Sequence, residues 1–460
     1  MNCWRGLRRR LILPAAYSQY ETGGRSIPAF CFDRQFRPGQ KAKLAVCRPD
    51  NMCKNEKVEK RNLNMELKDL VPYYVYDKKT IDDACEELKR ELPGFDFLYS
   101  IKANPFVPVV KTIAGHGFGA DAASWREVEE SLACGMKKED IYYSCPGKSE
   151  KDLRNAWGKC VLVADSLNEL KLIQKIAAEK GEKVTVGLRV HPLYVMGSGS
   201  PGPSKFGVDL EQLDELKKVI AACPDVRIAG MHVHLRSQVL DAETIGQYYI
   251  DTMKTAVMLR EECGADMEFV NFGSGIGTVY DHVRETPVDL AKLREKSAEL
   301  MDLNKDLKAR LLIETGRFVV CHAGTYYTSV VDKKTSHGVT YLIVPNGMNS
   351  FLRPAIASLV NNVAKGQPVP GMEPLYTNSN EFEVKVLNDC AEQETVSVVG
   401  SLCTALDVIK NNVTMNKAEI GDIVAVTNAG SYAFPLSPQF FSSHSIPEQY
   451  LKTDTGYETE

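Results

Sequence analysis

Phe97-Leu-Tyr-Ser-Ile-Lys102-Ala-Asn104 sets a lysine directly behind a run of apolar, β-type residues. A lysine at the mouth of a buried strand is partly desolvated, which lowers its ammonium pKa and suits the free amine to attack on a carbonyl. The competing reading is a surface lysine that merely closes a strand. The sequence around it bears on both the fold and that choice.

Working outward, Phe97–Ile101 is the first of eight short apolar runs, followed by Gly117–Ala120, Ile141–Ser144, Val161–Ala164, Val184–Val190, Ile228–His234, Phe269–Phe272 and Leu311–Ile313. Helical patterns lie between them, among them Trp125–Cys134, Leu167–Glu179, Leu210–Ala222, Ala242–Glu262 and Leu290–Leu303. Eight strands, each with a crossover long enough for a helix, predict an α/β fold of the (β/α)8 TIM-like barrel type rather than an open doubly wound sheet. After about Arg317 the pattern becomes mostly β without alternating helices, through Phe318–Asp332, Gly338–Val344, Glu381–Val386, Glu394–Val399 and Asp422–Thr427. This predicts a C-terminal β-rich domain of barrel or sandwich form. The early strand Val71–Tyr76 precedes the barrel count and is expected to join that domain. The expected organisation is a barrel over 80–316 and a β-domain over 67–79 plus 317–460, with a loop at Lys365–Gly371.

Residues 1–66 differ from the rest. Arg5, Arg8, Arg9 and Arg10 precede the short run Leu11-Ile-Leu-Pro14, and polar sequence interrupted by Gly and Pro follows. The expectation is a basic, disordered extension, with Met52 or Met65 as alternative starts. A targeting peptide is the other reading, weakened by Pro14 and the shortness of the apolar run. The whole chain has 460 residues, 44% hydrophobic and 25% charged, with a formal net charge of -4. That balance points away from nucleic acid or an anionic membrane as partner. No apolar run approaches the roughly 20 residues of a membrane span. Thirteen cysteines without a CxxC pair suggest reduced thiols and a cytoplasmic protein rather than disulfides or zinc.

In a barrel, chemistry gathers at the C-terminal strand ends. Those positions offer Lys102, Asp121, Arg189, His232 and His234, the run Gly273-Ser-Gly275-Ile-Gly277, and Glu314-Thr-Gly-Arg317. The glycine run exposes backbone N–H groups suited to phosphate, although a tight turn also explains it. Its spacing is not the dinucleotide fingerprint. Arg317 adds a planar donor of the kind phosphates favour. A lysine, a phosphate cradle and an acid at one mouth point to pyridoxal phosphate. His232 and His234 alternate on a strand. A metal pair is one reading, without a third ligand at suitable spacing. The other is one imidazole stacked on a planar cofactor beside a satisfied core histidine.

The residues Tyr99-Ser-Ile-Lys102-Ala-Asn104, Gly230-x-His-x-His234-x-x-Ser237-Gln238, Asn271-Phe-Gly273-x-Gly275-x-Gly277, Glu314-x-Gly-Arg317, Gly400-Ser-Leu-Cys403 and Asn428-Ala-Gly-Ser-Tyr432 match one pattern in order and spacing. From about Val71 to Ser443 the chain resembles the fold-type III pyridoxal-phosphate decarboxylases, the diaminopimelate/ornithine/arginine group. The resemblance implies a homodimer with shared active sites. It implies that Lys102 bonds the cofactor and that His234 stacks on the pyridine face. Ser237, Gly273, Gly275, Gly277, Arg317 and Tyr432 then resemble the phosphate binders, and Asp121 and Arg189 partners around lysine and ring. Glu314 corresponds to the acid that keeps the ring nitrogen protonated, where related racemases place an arginine. A salt bridge to Arg317 is the alternative role for Glu314. Cys403 resembles the thiol that a neighbouring subunit contributes to protonate Cα after carbon dioxide leaves.

The stretch Gly347-Met-Asn-Ser-Phe-Leu-Arg353-Pro-Ala resembles the diaminopimelate branch, in which Arg353 would help hold the substrate's distal carboxylate, with Arg317, Thr404 and Tyr432 nearby. A surface salt bridge is the plainer reading of Arg353. Three departures stand out: Pro345 replaces an acid, Ala357 stands where a tyrosine is expected, and Thr404 stands where that branch has Glu. The expected reaction is decarboxylation of diaminopimelate to lysine. The alternatives are D/L-ornithine, D/L-lysine or arginine as substrate, an amino-acid racemase, or a catalytically silent binding protein.

Overall fold

The computed structural model describes residues 71–365, 373–377 and 381–460. The extension expected over 1–66 and most of the loop expected at 365–371 lie outside the described residues. The described chain opens with β1 (Tyr73–Asp77) and α1 (Lys78–Glu91). The barrel follows as β2 (Phe95–Ser100), α2 (Val107–Gly115), β3 (Gly119–Ala122), α3 (Trp125–Ala133), β4 (Ile141–Tyr143), α4 (Glu150–Ala156), β5 (Val161–Ala164), α5 (Leu167–Lys180) and β6 (Val184–His191). A two-residue β7 (Val208–Asp209) beside β6 precedes α6 (Leu213–Ala221), β8 (Val226–His232), α7 (Ala242–Cys263), β9 (Phe269–Asn271), α8 (Leu290–Leu307), β10 (Arg310–Thr315) and the short α9 (Arg317–Val320).

The barrel strands run in the order β5-β4-β3-β2-β10-β9-β8-β6, all parallel, and β5 pairs with β6 to close the ring. The helices start where the sequence supplies caps: Ser124, Ser149, Ser166 and Asp241 each accept a backbone N–H from the first turn of α3, α4, α5 and α7. Inside the ring, Leu98, Tyr142, Val163, Phe269 and Leu312 form a buried plug contributed by five strands. Gly230 in β8 is required by this plug, because a Cβ there would lie 2.4 Å from the Phe269 ring. The barrel is therefore filled below, and its chemistry is confined to the upper mouth.

The remaining elements are β11 (Gly324–Ser329), β12 (Asp332–Ser336), β13 (Val339–Val344), α10 (Leu352–Ala364), β14 (Val384–Val386), β15 (Gln393–Gly400), β16 (Val408–Asn416), β17 (Ile423–Val426), β18 (Glu448–Thr453) and β19 (Gly456–Glu458). They make a six-stranded sheet, β14-β17-β11-β1-β18-β19, and a four-stranded sheet, β12-β13-β15-β16. β1 sits in the first sheet between β11 and β18. Two details differ from the sequence reading. The stretch beginning at Phe318 is first helical (α9) and becomes strand only at Gly324, and α10 interrupts the β-rich part. α10 buries Arg353, Pro354, Ala355, Ala357 and Val360 along one face, a helical period hidden by the proline at its start. Among the described residues, no helix is long and apolar enough to cross a membrane.

Candidate active site

β2 ends at Ser100, and Lys102 stands in a single 3-10 turn, Ile101–Ala103, just above the strand. Two hydrogen bonds tie this turn and the residue after it to the β-rich part: Tyr432 N–H donates to Ala103 O at 2.8 Å, and the Asn104 side-chain Nδ2 donates to Gly430 O at 2.9 Å. The lysine side chain is 44% exposed, whereas its partner Asp121, on β3, is 1% exposed. Asp121 accepts from Lys102 Nζ and Ser100 Oγ on one oxygen and from Ser144 Oγ on the other, the hydroxyls at 2.9 and 2.8 Å. Arg189 on β6 donates to Ser144 O at 3.4 Å and Asp165 Oδ1 at 3.3 Å, and stacks over Phe206. A polar chain thus leads from Lys102 through Asp121 and Ser144 to Arg189.

This arrangement corrects the expected pKa of Lys102. Partial desolvation at the barrel mouth pushes the ammonium down, but the carboxylates of Asp121 and Glu314 and the Tyr432 phenol outweigh it and hold it above the ordinary lysine range. The cofactor-free lysine is therefore protonated at neutral pH, and it must lose that proton before its nitrogen can bond an aldehyde carbon and release water. Asp121→Asn removes one of the stabilising charges. The pH profile for capture of pyridoxal phosphate, followed by visible absorbance, is expected to shift downward by about 1 unit or more. An unmoved or upward-shifted profile would show that Asp121 does not control the amine.

His234 lies two residues beyond the end of β8. Ser274 N–H donates to its Nδ1 at 3.2 Å, so Nδ1 is the bare nitrogen and Nε2–H faces Ser237 Oγ at 3.1 Å. Burial, aided by Arg189, His232 and Lys102 and opposed by Glu314, lowers its pKa to about 4. The ring is neutral, as a flat face apposed to a pyridine should be. Gly273, at φ +61, is fixed by the same ring: a Cβ there would sit 2.4 Å from His234 Nδ1.

The glycine run is narrower as a donor set than its sequence suggests. Gly273 N–H is taken by Asn271 Oδ1 at 2.8 Å and Gly277 N–H by Val239 O at 2.9 Å. Among the described residues, the amides of Gly275 and Ile276 have no hydrogen-bond partner. These two are the donors left for a phosphate.

Glu314, on β10, is buried, and it pairs with neighbours other than Arg317. Asn271 Nδ2 donates to Oε1 at 3.0 Å. His232 Nε2 lies 3.1 Å from the same oxygen, off the line of a hydrogen bond. Burial alone would raise the carboxyl pKa, but His232, Lys102 and His234 hold it well below the usual carboxylate range. Glu314 is thus an anion at the barrel axis. His232 is not a satisfied core histidine but the neighbour of that anion, and among the described residues its Nδ1 finds no hydrogen-bond partner. Among the described residues, no cluster of three or more metal-ligating side chains forms.

Arg317 faces away from Glu314. Its Nη1 donates to Tyr280 Oη at 3.0 Å, its Nη2 to Glu373, and its guanidinium covers the Tyr432 ring at 5.2 Å. Arg353 is no surface residue: it is fully buried and donates to the same Tyr280 oxygen at 2.8 Å and to Ser431 O at 3.4 Å. Two guanidiniums and one carboxylate therefore converge around one phenol. Cys403 and Thr404 are not in this group. They lie in the loop between β15 and β16, where the thiol is exposed.

Sequence reasoning missed Tyr280, Glu373 and Ser144, and gave no role to Asn271. Asn271 stood within a recognised motif. Tyr280 and Glu373 lie in irregular segments without periodicity or spacing to mark them.

A lysine beside a buried acid, two free loop amides, a neutral imidazole and an anion at the axis are the groups that aldehyde, phosphate, ring face and ring nitrogen of pyridoxal phosphate require, and the site fits that cofactor. Comparison with known proteins agrees. Residues 78–321 match the family model described as pyridoxal-dependent decarboxylase, pyridoxal binding domain. The diaminopimelate decarboxylase of Archaeoglobus fulgidus is 30% identical over 381 residues, covering 80% of this chain and 85% of the relative. An L-glutamyl-[BtrI acyl-carrier protein] decarboxylase of Niallia circulans is 28% identical over 401 residues, covering 84% of this chain and 90% of that protein. Among solved structures, diaminopimelate decarboxylase from Helicobacter pylori complexed with L-lysine superposes with a TM-score of 0.70 at 24% identity, covering 85% of this chain and 94% of that one. Lysine decarboxylase from Selenomonas ruminantium gives 0.69 at 20% identity, covering 87% and 98%.

Proposed function

Because this chain belongs to the pyridoxal-dependent decarboxylases, a family of amino-acid carboxy-lyases, we propose that it removes one α-carboxylate of diaminopimelate to give lysine. Pyridoxal phosphate supplies the electron-accepting ring into which the electrons of the broken Cα–carboxylate bond pass. The protein's residues divide the remaining work. Lys102 supplies the amine that holds the cofactor, and Asp121 keeps that amine charged until it is needed. Gly275, Ile276 and Ser237 hold the phosphate, and neutral His234 covers the ring face. Glu314 holds a proton at the pyridine nitrogen, which favours decarboxylation over racemisation. Cys403, exposed on its own chain, serves the site of a second copy, where it delivers a proton to Cα.

The observation that carries the substrate assignment is the convergence of Arg317 and Arg353 on Tyr280. Paired guanidiniums suit a carboxylate at the far end of the substrate. The test is carbon dioxide release from the purified, pyridoxal-loaded protein against meso-diaminopimelate, D- and L-lysine, D- and L-ornithine and arginine. Diaminopimelate is expected to be turned over with the highest kcat/KM. Turnover of an ornithine or lysine with none of diaminopimelate would sink the substrate assignment and leave the reaction type standing.

A further inference from the structure

One of the departures noted in the sequence, the alanine at 357, has a visible consequence in the structure. Tyr376 is buried against Ala357 and Val360 of α10, and its hydroxyl donates to Asn361 Oδ1 at 3.1 Å. A tyrosine at 357 would compete for the space that Tyr376 occupies. Three residues before Tyr376, Glu373 reaches Arg317. The small residue at 357 therefore allows an anchor that sets a carboxylate at the arginine cluster, in a chain whose residue 404 has lost one.

The character of the Glu373 contact is informative. Its side chain is 26% exposed while Arg317 is 6% exposed, so the ion pair is open on the side of the acid. Burial pushes the Glu373 carboxyl upward despite Arg317, Arg353 and Arg236, which leaves its ionised form with something to gain from another cation.

We infer that Glu373 is the specificity residue for a distal amino-acid group: it takes the ammonium of that group while Arg317 takes its carboxylate. The inference rests on the diaminopimelate reading above. A zwitterion fits an Arg–Glu pair in a way that neither charge alone does. Opening the Arg317–Glu373 pair exposes one positive and one negative group. The distal ammonium and carboxylate satisfy both, and the net charge of the site is unchanged. A substrate with only a carboxylate leaves Glu373 without a partner, and one with only an ammonium leaves Arg317, the buried member of the pair, without its counter-ion.

The test compares meso-diaminopimelate with 2-aminopimelate, which has the same chain and distal carboxylate but no distal amine. Affinity for the pyridoxal-loaded protein is read from the change in cofactor absorbance on binding, and KM and kcat from carbon dioxide release. Wild type is expected to favour diaminopimelate by about 10- to 100-fold in affinity. Glu373→Gln is expected to reduce that preference to within about threefold, with the loss in KM rather than kcat. Glu373→Asp should restore part of it, and Ala357→Tyr should mimic Glu373→Gln by displacing the Tyr376 anchor. Thermal unfolding of each variant separates loss of fold from loss of preference. A Glu373→Gln protein that keeps the preference, or a wild type that shows none while still decarboxylating diaminopimelate, overturns the role of Glu373 alone. A wild type that decarboxylates other amino acids but not diaminopimelate overturns the substrate assignment, and this inference with it.

Discussion

Replacing Glu314 by glutamine is expected to lower kcat by about 10²- to 10³-fold, the range seen when one preorganised electrostatic group is removed from a reacting centre. The size follows from where the charge sits. Glu314 is buried, anchored by Asn271 Nδ2 and flanked by His232, and its carboxyl is held well below the ordinary range. Glutamine keeps the shape and a hydrogen bond but cannot hold a cationic pyridine nitrogen opposite it. Binding of pyridoxal phosphate should survive, because Lys102 and the loop amides are untouched. Stopped-flow carbon dioxide release beside the visible spectrum of the loaded protein checks both halves. A variant with near wild-type kcat would remove Glu314 from the chemistry, and the choice of decarboxylation over racemisation would lose its support.

Lys102→Ala is expected to be still more damaging, on the order of 10⁴-fold or more in kcat, because it removes the amine proposed to bond the cofactor. Cys403→Ala is expected to impair product formation for a different reason, since Cys403 lies far along the chain in the β15–β16 loop and is exposed. If sites are shared between two copies, co-refolding the two variants forms mixed dimers in which one of the two sites carries both Lys102 and Cys403. Activity should then recover to about a quarter of wild type, the statistical share for a symmetric pair. No recovery, with mixed dimers present by mass, would place Cys403 outside the shared site.

The barrel was legible because its signal is local and repeated. Runs such as Val161–Ala164 and Leu311–Ile313 are continuous and apolar, as strands buried on both faces must be, and the eight runs lie at spacings that leave room for helices. All eight runs overlap the strands of the closed ring. The helical start at Arg317 was not legible, because Phe318, Val319 and Val320 are β-type residues drawn into one turn above the barrel. The site was legible where single residues sit at strand ends, as Lys102, Asp121 and Glu314 do. It was illegible where the chemistry depends on who faces whom. Nothing in the spacing of residues 314 and 317 shows that Glu314 turns to His232 while Arg317 turns to Tyr280 and Glu373. The same limit explains the inverted expectation for Lys102: strand context predicts desolvation, but only three-dimensional proximity reveals two carboxylates whose field exceeds it.

Lys102 bears the central claim, and borohydride reduction of the pyridoxal-loaded protein followed by peptide mapping tests it most directly. Reduction fixes the cofactor to whichever amine holds it. The pyridoxyl mass is expected on the peptide containing Tyr99-Ser-Ile-Lys102-Ala-Asn104 and on no other. A label on a different lysine, or a protein that loads the cofactor yet yields no labelled peptide, would contradict the assignment of this site.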